Sequence, residues 1–431
     1  MRRFILIAAT LMIVIAVGVS AAPAEIIFWT THTPPWSDYL QTMVDVFNTS
    51  QTEVQATMSI VPGSETDVSK LMTAVRGGTG PDVYMLDRFI TAERAAGGLL
   101  EDLSPFIKKY DPNMASNYLP FAWAESSFKG KTWSLPFDTD TRGLYYRIDM
   151  LQAAGIDTSP LDVKNGPITL AKLKEIAFKF NKTDSSGAYT QIGFIPHANQ
   201  GWHYTWGFAF GGKFADMKAG KITPTNEGVV AGFQWMYDYY KALGPQKVRT
   251  FLSTYAPPNN PPQQDTFITG KVPIVVTGDW NIAMMAEYAP EAKWGVTYIP
   301  IPKAGDKPST WAGGWSFTIP KGSKNADAAF KFCKWMTGPA GQMMYTQLSS
   351  HLPTIKILSE DATLFPGEHA FFQKTLSFAS SRPALPVGGL YWDALTVAMN
   401  DVIDNVATPK VALQKAYDKV QPQLNKFLPL Q

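Results

Sequence analysis

Beyond residue 24 the apolar positions fall into short blocks whose period switches between buried-strand runs and helical spacing. Glu25 to Trp29 reads as a strand. Leu40, Met43, Val44 and Phe47 then recur at i, i+3, i+4 and i+7, the stripe of an amphipathic helix that Ser37 is placed to cap. Val54 to Val61 returns as a strand ended by Pro62-Gly63. Val68, Leu71, Met72 and Val75 mark a second helix stopped at Gly77-Gly78, and Asp82 to Leu86 is a third strand. This strand-helix-strand-helix-strand order predicts a parallel sheet with right-handed crossovers. Such sheets bind ligands outside the carboxyl ends of their strands. Those ends hold Trp29, Thr30, Thr31 and His32, then Pro62-Gly63, then Asp87-Arg88.

The segment Ser134-Leu135-Pro136-Phe137-Asp138-Thr139-Asp140-Thr141-Arg142-Gly143-Leu144-Tyr145-Tyr146 is two apolar strands separated by a short acidic crossing. Two carboxylates and a guanidinium within five residues are too many polar groups for an ordinary turn. They suit a ligand that offers many hydroxyls. A different set of elements follows. Thr169 caps a helix with Leu170, Leu173, Ile176, Ala177 and Phe180 on one face, Ile192 to Ile195 reads as a strand, and Gly201 to Trp206 is rich in rings. Glu227 to Lys241 is helical, Ala256 to Pro262 is a proline-rich loop, and Lys271 to Thr277 is a buried strand running into Gly278-Asp279-Trp280. Trp294 to Ile299 and Trp311 to Ile319 are further strands, and Ala326 to Met336 and Lys410 to Phe427 are amphipathic helices.

The first 24 residues read as an export signal, with Arg2 and Arg3, an apolar run from Phe4 to Val19, and an A-x-A pattern at Ala22-Pro23-Ala24. A mature chain beginning near Glu25 has no cysteine there for a lipid anchor. Roughly 400 residues exceed what one core usually supports, so two domains are expected. Cys333 is the single cysteine; within the apolar pattern of Phe330, Phe332, Trp335 and Met336 it reads as a small buried hydrophobe. Of 38 basic residues Arg2 and Arg3 leave with the signal, which balances the 36 acidic ones. A neutral chain without a basic face is a poor nucleic-acid binder. The ring content is the unusual feature: 13 Trp, 17 Tyr and 25 Phe. Trp29, Trp36, Trp202, Trp206, Trp280 and Trp315 fall at expected loops or strand ends, where rings serve recognition.

Several motifs are absent. Gly77-Gly78-Thr79-Gly80-Pro81 runs from helix to strand, opposite to a phosphate loop, and lacks its Lys-Ser/Thr pair. The five histidines (His32, His197, His203, His351 and His369) show no metal-ligand spacing, and no Gly-x-Ser-x-Gly elbow occurs. Asp138 and Asp140 have a spacing that would permit acid-base work on a glycosidic bond, since residues two apart on a strand share a face. Arg142 beside them is expected to keep both ionised, which suits acceptors better than a proton donor. Binding is therefore favoured, and a secreted carbohydrate-active enzyme is the rival reading.

A resemblance sharpens this. Gly80-Pro81-Asp82-Val83, Ser134 to Asp140, Leu144-Tyr145-Tyr146, Gly270-Lys271-Val272, Trp294-Gly295-Val296 and Gly313-Gly314-Trp315-Ser316 occur in one order along the chain. Ile319 to Asn325, Lys334-Trp335-Met336 and Arg382-Pro383 continue it. Together they resemble the family 1 extracellular solute-binding proteins, sugar-capturing subunits of ABC importers similar to maltose- and trehalose/maltose-binding proteins. The resemblance implies an α/β fold of two lobes (type II-like), a ligand cleft between them, and closure by hinge motion. Transferred here, the N-lobe is 25–137 plus 281–318 and the C-lobe 138–280 plus 319–431, with crossings at Asp138–Arg142, at Asp279–Trp280 and near Ile319. It implies Asp87, Asp138 and Asp140 as hydroxyl acceptors, Trp280 and Trp315 as stacking platforms, Gly314 as a close backbone approach, and Arg382 as a ligand contact. Thr31 and His32 join them from the strand ends. Trp36, Trp202 and His203 are candidates for either ligand contact or packing, and Arg142 for contact or bracing. No catalytic residue, metal or cofactor is expected. The implied partners are a carbohydrate and the permease subunits of an ABC transporter, with the protein a periplasmic monomer. A polyamine or a glycerophosphodiester is the non-sugar alternative.

Overall fold

The computed structural model describes residues 22–61, 63, 67, 69–258 and 260–430. The expected export signal therefore lies almost wholly outside the described residues, as does Val68. The first strand, Ala24–Thr30, pairs in parallel with Val54–Ile60 from Ala24↔Val54 to Thr30↔Ile60, and with Val83–Asp87 on its other side. Its Ile26 and Phe28 point into a core with Leu40, Met43, Val44 and Phe47, the predicted face of the helix Trp36–Ser50. That helix begins one residue before Ser37, which is buried inside it and caps nothing through its side chain. The sheet is completed by Trp315–Thr318, antiparallel to Val83–Asp87, and then Leu135–Pro136.

A second sheet is built on Arg142–Arg147, flanked antiparallel by Ile274–Gly278 and Trp294–Thr297. Helices Glu227–Leu243, Gly388–Ile403 and Pro409–Leu424 bury Val229, Phe233, Met236, Leu395, Met399 and Leu413 in its core. Thr169 caps its helix as expected, accepting the Lys172 N–H at 3.2 Å. Residues 192–195 form no strand, although Ile192 donates its N–H to the Lys271 carbonyl and Gly193 accepts that of Ile274, and the ring-rich segment is a helix, His203–Ala209.

The division of the chain between the two cores differs from the expected one. Trp294–Thr297 pairs with Arg142–Arg147, and Met285 of the helix Asn281–Tyr288 is buried in the second core, so 281–297 belongs there. Ile319, Phe330, Phe332, Cys333, Met336, Tyr345 and Leu358 belong to the first core, where Phe332 meets Phe28 and Phe47 at 5.6 and 5.0 Å. The reason is pairing between rings and strands far apart in sequence, which outweighs chain order. The crossings accordingly fall at 137–142, at 310–314, and after Leu352–Pro353. The last two run beside partners: Trp311–Ala312 is parallel to Ser380–Ser381, and Leu352–Pro353 is antiparallel to Asp138–Thr139.

Candidate functional site

The acidic crossing is laced to the returning segment 313–315. Asp138 Oδ1 accepts the Trp315 N–H at 2.5 Å, and Asp140 Oδ1 accepts the Gly313 N–H at 2.6 Å. Thr139 donates its hydroxyl to the Gly313 carbonyl at 3.0 Å. Arg88, fully buried at the end of the third strand, closes the knot: Nη1 donates to the Asp138 carbonyl at 2.6 Å, Nη2 to the Gly313 carbonyl at 2.5 Å, and Nε to Glu125 Oε2 at 2.7 Å. Gly314 sits in this knot with φ +128°, and a Cβ there would stand 2.3 Å from the Asp138 carbonyl oxygen. Only glycine fits, for conformation and for space.

Between the lobes this knot forms one wall of a cavity of about 480 Å³. Of the expected residues, Thr31, His32, Trp36, Asp87, Asp140, Trp202, Trp280, Gly314, Trp315 and Arg382 line it. Two expected contacts do not. Asp138 is 2% exposed and turned toward the Trp315 amide, away from the cavity, because its strand pairing with Leu352–Pro353 buries it. His203 is fully buried, packed edge-on to Trp392 at 4.7 Å, and so supports a lining ring from behind. Trp311, Trp392, His351, Gln200 and Thr33 line the cavity without having been expected; Gly63, from a predicted strand end, and Arg142, a candidate for contact or bracing, line it too. Trp311 sits in a pattern that reads as plain strand, and Trp392 in a stretch to which the pattern assigns no element. Only their ring type was a signal.

Charge inside the cavity is internally compensated. Arg382 Nη2 donates to Asp87 Oδ1 at 2.6 Å, and Arg142 Nη1 donates to Asp140 Oδ1. Both guanidiniums are sandwiched by rings: Arg142 lies 3.4 Å from the Trp311 centroid and 5.3 Å from Trp280, and Arg382 lies 4.0 Å from Phe89 and 5.6 Å from Trp392. Burial, with His351 nearby, pushes His32 down to about 3; burial likewise pushes His351 down to about 4, so both rings are neutral at neutral pH. Burial pushes the Asp138 carboxyl up to about 8, and burial and Asp140 push Asp279 well above the carboxylate range. The expectation that Arg142 keeps both aspartates ionised fails at Asp138, whose Oδ2 has no hydrogen-bond partner among the described residues. Desolvation outweighs the neighbouring cations there. Among the described residues no three His, Cys, Asp or Glu are placed to hold a metal ion.

The model of the bacterial extracellular solute-binding proteins matches residues 42–367. The chain belongs to this family. Among curated relatives, the maltotriose-binding protein of Pyrococcus abyssi (strain GE5 / Orsay) is 24% identical over 417 residues, covering 93% of this chain and 82% of its own. The galactooligosaccharide-binding protein of Bacillus subtilis (strain 168) is 23% identical over 356 residues, covering 80% and 78%. The solved structure of CpMnBP1 with mannobiose bound superposes with a TM-score of 0.80 at 24% identity, over 92% of this chain and 99% of that one. That likeness establishes the two-lobe α/β fold of the solute-binding proteins. An interlobe cavity in a protein of this family is the place where a solute would be held.

Proposed function

We propose that this protein captures an uncharged, short carbohydrate between its lobes and delivers it to the permease subunits of an ABC importer, without chemical turnover. The observation that supports this most is the composition of the cavity wall: six Trp rings together with carboxylates and guanidiniums that already pair with one another. Trp faces suit the apolar CH faces of a pyranose, and charge-assisted donors and acceptors suit its hydroxyl edge. A glycerophosphodiester would need a free cation, and a polyamine a free anion; pairing Asp87 with Arg382 and Asp140 with Arg142 leaves neither sign in excess. The relatives named above, which bind maltotriose, galactooligosaccharides or mannobiose, support the same class. Catalysis by Asp138 with Asp140 loses its footing because Asp138 does not face the cavity. Export through the N-terminal signal, residence in the periplasm and action as a monomer complete the proposal.

A thermal-shift panel tests it. A ligand that binds only the folded state adds about 2.7 kcal/mol of stability at a hundred times its Kd. A neutral mono-, di- or trisaccharide should raise the melting temperature and be recovered unchanged, whereas spermidine and glycerophosphocholine should leave it unmoved. A shift by either charged solute alone, or release of cleaved sugar, would sink the reading.

A further inference from the structure

Two groups of contacts join the lobes directly at the borders of the cavity, apart from the crossing segments. In the first, Tyr39 of the helix Trp36–Ser50 donates its hydroxyl to Glu287 Oε2 at 3.1 Å, and Glu287 stands on the second lobe's helix Asn281–Tyr288. Behind that bond runs a chain of rings. Tyr39 meets Trp36 at 5.8 Å, Trp36 meets His351 at 5.5 Å, and His351 stacks on Trp280 at 5.5 Å. In the second group, Glu93 Oε2 of the first lobe accepts the Gly389 N–H at 2.6 Å, in the first turn of the second lobe's helix Gly388–Ile403. Beside it Phe89 meets Trp392 at 5.8 Å.

The second contact is close at two glycines. A Cβ on Gly388 would approach the Phe89 carbonyl oxygen to 3.2 Å, and one on Gly389 would approach Glu93 Oε1 to 3.2 Å. Side chains at these positions would press on the first lobe and require its Phe89 carbonyl and Glu93 carboxylate to give by a few tenths of an ångström. The carboxylate also faces the positive end of a long helix, which favours the pairing.

We propose that these two interlobe clasps bound the site and confine its ligand to one or two sugar rings. The inference rests on the carbohydrate reading above and adds a length limit to it. Trp36, Trp280 and His351 line the cavity at the first clasp and Trp392 at the second, so a further ring would have to displace rings that already pack across the lobes. The cavity volume of about 480 Å³ falls in the lower half of the ~300–1,000 Å³ usual for small-molecule sites. Tyr39, Glu287 and Glu93 do not line the cavity; they select by excluding the longer ligand, not by contacting the shorter one.

The test has two arms, both on the full mature chain. Calorimetric titration with the mannose and the glucose-maltose series, one to four rings each, should show tightest binding at one or two rings and a loss of about tenfold or more from three rings onward. Tyr39→Ala combined with Glu287→Ala should narrow that gap to about threefold or less while leaving monosaccharide affinity unchanged. Tri- or tetrasaccharides bound by the wild type as tightly as the disaccharide would overturn the length limit. The second arm needs no sugar. Spin labels at Lys108→Cys and Lys241→Cys, both exposed and on different lobes, report the interlobe distance, and buried Cys333 stays unlabelled. The distance distribution should widen in Tyr39→Ala and in Glu93→Ala; no widening in either overturns the clasps. If no sugar of any length binds, the carbohydrate reading falls, and the label arm still decides whether the clasps close the cleft.

Discussion

Replacing Arg88 by Met should be among the most destabilising single changes outside the apolar cores. The side chain is fully buried and Glu125, its partner at 2.7 Å, is only 6% exposed. Removing the guanidinium strands a buried carboxylate and takes the donor from two backbone carbonyls, those of Asp138 and Gly313, in one step. Breaking a buried ion pair from one side costs about 3–5 kcal/mol. The double variant Arg88→Met with Glu125→Gln no longer strands a charge, so its cost should fall well short of the sum of the singles, by about 2 kcal/mol or more.

Urea unfolding measures this. Far-UV circular dichroism and Trp fluorescence are followed together, because one lobe unfolding alone would separate the two transitions and void a single free energy. Arg88→Lys is the sharper control: it keeps the charge, but an ammonium lacks the planar fork that reaches Glu125 and both carbonyls. A loss below about 1 kcal/mol for Arg88→Met, or strict additivity in the cycle, would refute the view of Arg88 as the knot that holds the crossing to segment 313–315.

Three further outcomes are expected. Gly314→Ala, with φ +128° and an added Cβ 2.3 Å from the Asp138 carbonyl oxygen, should cost about 2–4 kcal/mol from strain and overpacking together, read as a lower melting temperature. Trp280→Ala should weaken saccharide binding by about 1.5–3 kcal/mol, the worth of one large apolar side chain buried against a ligand, with the unliganded melt little changed; retained affinity in calorimetry would remove Trp280 from the site. Asp138, held at about 8 by burial, keeps a proton when folded that the unfolded chain releases above about pH 4. Its contribution to stability is therefore whole below about pH 4 and lost as pH rises through about 8, at no more than about 1.4 kcal/mol per unit. Asp138→Asn, which mimics the protonated form, should flatten the pH profile across that window. Parallel profiles for variant and wild type would count against the shift.

Local pattern was enough for the elements whose partners are near in sequence. The i, i+3, i+4, i+7 stripe from Leu40 to Phe47 is the buried face of its helix, and the parallel order of the first three strands follows from the short helices between them. The acidic crossing was visible because charges set between two apolar strands must be satisfied, either by partners within the fold or by a ligand. The lobe boundaries were not visible. They depend on Trp294–Thr297 finding Arg142–Arg147 and on Phe332 finding Phe28, contacts spanning some 150 and 300 residues that no local period encodes. Trp392 was missed for a related reason: nothing local to it shows that its ring reaches Phe89 in the other lobe.

Asp138 and Asp140 share a task, but it differs from the one that alternation on a strand suggested. Both carboxylates meet backbone N–H groups of segment 313–315, and only Asp140 also borders the cavity. The aspartates therefore act on the ligand chiefly through the segment they hold, which fixes Trp315 beside Asp87 in register. The same holds for the arginines, each pinned between rings and a carboxylate before any solute arrives. A wall built this way loses little side-chain freedom on binding, and ordering each flexible side chain would otherwise cost about 0.5–1.5 kcal/mol. Strong internal pairing is thus compatible with tight capture of a neutral ligand: the charges set the positions of the rings and of the hydrogen-bonding edges, and the ligand meets them already in place.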